Sequence, residues 1–139
     1  MFFSNYSLPV KSLLVALLIS SPWLVVQAGI IVLAPDDEIK NMPTCEQDSG
    51  NCAHLGGGDD YRMNSTLKTK FSKNISVMTQ LLEDYIGEQG SEIIYQLEEE
   101  NSAYFHLVEK TKFWQFPDDV IVKISQSDDG CILEMHSKS

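Results

Sequence analysis

The chain has 139 residues, 43% of them hydrophobic, and sets ten Lys and Arg against twenty Asp and Glu for a formal net charge of −10. That length suits one small globular domain. The acidic balance, with its few basic residues scattered, excludes the clustered cations that nucleic acid or an anionic membrane surface would require.

The N-terminus is the first element. Residues 1–28 hold one charged side chain, Lys11, ahead of the run Leu13-Leu-Val-Ala-Leu-Leu-Ile19, the break Ser20-Ser-Pro22 and the small-residue end Val26-Gln-Ala28. A weakly positive start, an apolar middle and small residues at the end form an export signal cut after Ala28. A retained membrane anchor is the rival reading, because the chain is uncharged from Leu13 to Ala34 and a bilayer needs about 20 apolar residues. Both readings export the remainder, to the periplasm or the outer face of the inner membrane.

Residues 29–73 read as an irregular arm. Pro35-Asp-Asp-Glu38, Met42-Pro43, Asp48-Ser-Gly-Asn51 and Gly56-Gly-Gly-Asp-Asp60 are turn compositions, and no apolar period crosses them. In an oxidising compartment the three cysteines, Cys45, Cys52 and Cys131, allow one disulfide and leave one thiol. Cys45 and Cys52 are close in a bendable loop, and Cys131 sits at an apolar strand position, so Cys45–Cys52 is the expected bridge, stabilising by about 2 to 2.5 kcal/mol.

Residues 74–139 form the expected domain. Val77, Met78, Leu81, Leu82, Tyr85 and Ile86 recur at helical spacing, with Asn74 or Ser76 as cap and Gly87 or Gly90 as stop. The period then falls to two. Ile93, Tyr95 and Leu97 share a side of one strand, Ala103, Phe105 and Leu107 of the next, Val120, Val122 and Ile124 of the third, and Cys131, Leu133 and Met135 of the last. Short turns join them, giving an α+β fold: a four-stranded antiparallel meander with one amphipathic helix packed on one face, preceded by the arm.

The chemical candidates are few. Asp118 and Asp119 stand side by side at the start of a strand, where successive side chains point to opposite faces, so they do not form an acid–base pair. Asp119 takes the solvated parity of Lys123, and Asp118 the parity of Val120, where a carboxylate needs backbone N–H groups or a cation. His54, His106 and His136 lack metal-ligand spacing, and His106 and His136 take the outward parity, where surface histidines are ordinary. Neither metal nor cofactor is expected, and Cys131 reads as a buried, inert thiol. Gly56-Gly-Gly58 precedes two aspartates and reads as a flexible loop rather than a phosphate cradle. Phe113, Trp114 and Phe116 read as packing. Asn64-Ser-Thr66 and Asn74-Ile-Ser76 match a glycosylation pattern.

The order Pro43-Thr-Cys45, Asn51-Cys52, a helix, Tyr104-Phe-His-Leu107, Phe113-Trp-Gln-Phe-Pro-Asp-Asp-Val120 and a closing hairpin resembles the domain of unknown function 1499 family of bacterial envelopes and plastids. In that family a Cys-Pro and Asn-Cys segment follows the export region, and a Phe-x-Asp-Asp-Val segment precedes a last strand ending in Ser-x-Ser-Arg. The matching positions are Cys45, Asn51, Cys52, Phe116, Asp118, Asp119, Val120, Ser137 and Ser139. Glu46 departs from the family proline, and the cysteines are one residue further apart than in the family. Lys138 is a flexible substitute for the Arg that could pair with Asp118. The family continues into a further turn and helix where this chain stops at Ser139. The resemblance therefore implies a C-terminally shortened member, with an uncovered apolar patch or an unpaired strand edge beside Cys131 to His136 and self-association through that C-terminal strand. It implies no reaction.

The expected function is an exported, non-enzymatic envelope module binding a protein partner or an apolar ligand at the helix–sheet edge, with membrane association through residues 13–34. The alternative is a small metal-dependent or hydrolytic enzyme using His54 with Asp59 or Asp60.

Overall fold

The computed structural model describes residues 7–33, 37–63 and 67–139; the Asn64-Ser-Thr66 pattern lies outside them. The first element is helix α1, Leu8–Leu33. It is apolar around its whole circumference, and its Leu8–Val32 stretch has a mean hydropathy of 2.1 and none of its length buried against the rest of the chain. Length and composition suffice to cross a membrane, and a signal sequence passes the same test. Pro22 lies inside this helix rather than ending it.

Strands β1 (Cys52–Leu55) and β2 (Lys70–Phe71) come next, then helix α2 (Ile75–Gln89) and four strands: β3 (Glu92–Glu99), β4 (Ser102–Lys110), β5 (Pro117–Ser127) and β6 (Gly130–Lys138). The fold is α+β with an antiparallel sheet, as the periodicity predicts, and the sheet has two strands more than the meander. Its order is β1-β6-β5-β4-β3, with β2 also on β6. The stretch expected to be wholly irregular thus supplies β1 and β2, too short to show a period.

These two strands overturn one expectation. β6 is not an unpaired edge: β5 lies along one side, and β1 and β2 share the other, β1 opposite Met135 to Lys138 and β2 opposite Cys131 and Ile132. β3 is an edge strand, and there Glu92, Glu98 and Glu99 place charge that discourages strand addition.

Local chemistry sets the ends of α2. The Asn74 side chain accepts the Val77 N–H at 2.9 Å, and Gly90, at φ 70°, donates its N–H to Ile86 O. Of the two caps that the sequence offered, Asn74 and Ser76, Asn74 is the one used. Met78, Leu82 and Ile86 of α2 pack on Ala103, Phe105, Leu107, Val122, Ile124 and Cys131. Val77, Leu81 and Tyr85 stay exposed, so the apolar stripe of the helix is wider than the sheet beneath it.

One parity differs. A bulge between Ile93 and Tyr95 puts Ile93 opposite Leu107 and Tyr95 opposite His106, so these two residues lie on opposite faces instead of sharing a side.

Candidate functional site

β4 and β5 carry buried residues on both faces, so both faces are covered. Away from α2, one row crosses the sheet: Tyr95 opposite His106, His106 opposite Ile121, Ile121 opposite His136, and His136 opposite His54. His54, His106 and His136 are 3%, 1% and 2% exposed, which corrects the reading of His106 and His136 as surface residues. The cover is the segment after Asp37. The Tyr104 hydroxyl donates to Ile39 O at 3.0 Å, and the Ile39 N–H donates to His106 Nδ1 at 3.2 Å. Irregular backbone has N–H and C=O groups to spare, so it can cover histidines without leaving them unpaired. Burial and the neighbouring Tyr95 push the Tyr104 hydroxyl up to about 12.

His106 is fully engaged. Its Nε2–H donates to Asp119 Oδ1 at 2.9 Å while Nδ1 accepts from Ile39. No ring nitrogen is left for a substrate, so this His–Asp pair is structural. It also reverses the expected roles of the two aspartates. Asp119 is the anchor, and Asp118 stands opposite Glu109 on the helix face. The two carboxylates lie on opposite faces, as strand geometry requires. Lys138 stands opposite Asp119, not Asp118.

His54 and His136 form a second group. Their Nδ1 atoms are 3.3 Å apart, and His54 Nε2 lies 3.5 Å from Glu134 Oε1. The partner carboxylate of His54 is Glu134; the Asp60 carboxylate instead accepts the Gly56 N–H at 2.6 Å. Glycine permits this arrangement: a Cβ on Gly57, at φ 67°, would lie 2.6 Å from Glu134 Oε1. Gly56 and Gly57 are therefore packed against β6 rather than in a free loop, while Gly58 faces open space. One proton lies between the two Nδ1 atoms, and either ring can donate it. His136 Nε2 then faces Cys52 Sγ at 3.6 Å. Burial, His54 and Lys138 lower the pKa of His136, with Asp119 opposing them.

Cys52 is joined to Cys45 in the expected disulfide. Cys131 is free and buried on the helix face, and burial raises its pKa. Asn51 bonds through its side chain to Ser139 O, and the Ser139 N–H donates to Asn51 O at 3.0 Å. Asn51 and Cys52, Asp119 and Val120, and Ser137 and Ser139 thus meet at one end of the sheet. Phe116 is outside this cluster, 47% exposed in the loop between β4 and β5.

That loop rests on α1. Trp23 Nε1–H donates to Phe113 O at 3.1 Å, and the Gln27 amide donates to Trp114 O at 2.7 Å. Phe113 is 67% exposed and Trp114 40%, so these rings, expected as packing, lie outside the core and pack on one another.

The remaining feature is a crevice of about 460 Å³ between α2 and the sheet, lined by Met78, Leu82, Val120, Leu133 and Met135 among others. Of its lining residues only Glu109, Ser137 and the Tyr85 hydroxyl are polar. Glu109 accepts hydrogen bonds from Tyr85 and Ser91. The helix pattern and strand parity foretold the apolar lining but not that the helix leaves space over it. Comparison with known family models, with curated proteins and with solved structures finds no match for the chain.

Proposed function

We infer that the chain is an exported, membrane-held binding module, at the periplasmic face in a bacterium, whose helix–sheet crevice takes an acyl chain or a similar apolar ligand. The observation that carries this reading is the crevice itself: it falls in the size range of small-molecule sites, and almost no polar group converges on it. Each buried methylene contributes about 0.8 kcal/mol, so about ten of them supply the gross free energy of micromolar binding.

Two features favour a retained anchor. α1 meets the folded domain through Trp23 and Gln27, contacts that a cleaved signal would not keep. Exposed Phe113, Trp114 and Phe116 beside an apolar helix suit the membrane–water interface. Glu109, Val120 and Ser137 line the crevice at the same end of the sheet as this loop, close to a source of acyl chains.

Titration of the detergent-solubilised chain with a fluorescent long-chain fatty acid tests the reading. Saturable binding, weakened at least tenfold by filling the crevice with Leu133→Trp, is the expected result. Absence of saturation, or unchanged affinity in a folded Leu133→Trp protein, refutes it.

A further inference from the structure

We propose that reduction of the Cys45–Cys52 disulfide turns the histidine face into a zinc site with Cys45, Cys52 and His136 as ligands. This site lies on the opposite side of the sheet from the crevice and does not depend on it. The two Sγ atoms and a ring nitrogen of His136 all lie within 4.8 Å of one another. Cys52 Sγ and His136 Nε2 are 3.6 Å apart. Tetrahedral zinc, with bonds of about 2.3 Å to sulfur and about 2.0 to 2.1 Å to nitrogen, sets its sulfur and nitrogen ligands about 3.6 Å apart. One edge of the coordination tetrahedron is therefore already in place.

The surroundings of His136 support the same assignment. A ligating histidine needs a bare nitrogen toward the metal and a partner for its other N–H. His136 has the geometry for both: its Nδ1 lies 3.3 Å from His54 Nδ1, which can take its proton, and its Nε2 faces sulfur. Two other readings of this cluster fit less well. A hydrolytic centre would need a free nucleophile, and Cys52 Sγ is held in a disulfide. A structural role alone leaves unexplained why Nε2 points at a sulfur, which is a weak hydrogen-bond partner.

While the disulfide stands, neither sulfur is a thiolate and the site cannot form. A phosphine reductant opens it: the S–S bond breaks, phosphorus is oxidised, water supplies the phosphine-oxide oxygen, and two thiols form. In the cell a dithiol protein would take the same electrons' part, itself closing to a disulfide. Cys45, the less buried residue of the pair, gives the reductant access. Zinc then binds both sulfurs as the two thiol protons pass to solvent, and the fourth position stays open to water.

The test uses the full chain in detergent carrying Cys131→Ala, so that the paired cysteines are its sole thiols. Cobalt(II) serves as the spectroscopic probe and zinc as the competitor. The reduced protein is expected to take up one equivalent of cobalt with sulfur-to-metal charge-transfer absorption that zinc bleaches, and the oxidised protein to show none. His136→Gln should weaken zinc binding at least tenfold. His54→Gln, which leaves all three ligands intact, should weaken it about 10- to 100-fold while the charge-transfer bands persist. Equal uptake by both redox forms, no charge-transfer band after reduction, or wild-type affinity in both histidine variants would overturn the proposal.

Discussion

The central strands of the sheet are buried on both faces, by opposite means. Under α2 lie Phe105, Leu107, Val122 and Ile124, all at most 2% exposed, and beneath the segment from Asp37 to Cys52 lie His54, His106, His136 and Tyr104, buried almost as fully. A helix uses its backbone groups internally and can offer a sheet only side chains, so the face it covers must be apolar. An irregular segment has free N–H and C=O groups, so the face it covers can hold polar rings provided each finds a partner. Among the described residues every buried side-chain nitrogen and oxygen has one. Helical cover depends on shape, and irregular cover on hydrogen-bond stoichiometry.

The largest test falls on the helix face. Phe105 is fully buried in the core cluster, and Phe105→Ala removes its apolar area and leaves a cavity, so it should cost about 3 to 5 kcal/mol in denaturant-induced unfolding. A loss under 1 kcal/mol would mean that α2 collapses into the gap and that the crevice is an extension of a loose core.

On the other face the sharpest test is alkaline. The Tyr104 hydroxyl, raised to about 12 from an ordinary 10, favours the protonated folded form. Its contribution is fully present below pH 10 and is lost as pH rises from 10 to 12. A shift of this size corresponds to about 2 to 3 kcal/mol. Tyr104→Phe should cost about 1 kcal/mol at neutral pH by removing the bond to Ile39 O. It should also abolish this part of the alkaline loss, so the two stability–pH curves should cross. Parallel curves would show that the hydroxyl is not held by the covering segment.

The disulfide pins that segment to β1. Cys45→Ser should cost about 2 to 2.5 kcal/mol through the freed unfolded chain. Amide exchange should accelerate at Ile39, whose N–H is held by His106, and stay slow at Phe105 and Leu107 on the protected strand β4. Uniform acceleration would mean that the two covers do not act separately.

How far the sequence disclosed this architecture follows from the same contrast. The helix and four long strands were legible because apolar side chains at fixed spacing announce the face a helix covers. Parity also placed Cys131 inside and parted Asp118 from Asp119. The histidine face was illegible because its cover has no period and its buried residues are polar. One signal was present: Tyr104-Phe-His-Leu-Val108 and Val120-Ile-Val122 are nearly continuous apolar runs, and such runs belong to strands buried on both sides. Read that way, Ile121 had to be covered, and His106 and His136 on its parity with it. The bulge after Ile93 left no mark in composition, so the parity of β3 could not be read through it.

The smallest effect sharpens the contrast from the helix side. Since α2 leaves Val77, Leu81 and Tyr85 exposed and a crevice beneath it, tertiary packing holds it less than it holds a well-covered helix, and its end chemistry matters correspondingly more. Asn74 supplies the N-cap by accepting the Val77 N–H. Asn74→Ala should therefore cost about 1 kcal/mol, with faster exchange confined to the first turn of α2 and no change at Ile39. If exchange at Ile39 also quickens, the two faces communicate through the sheet and cannot be treated as separate covers on a common core.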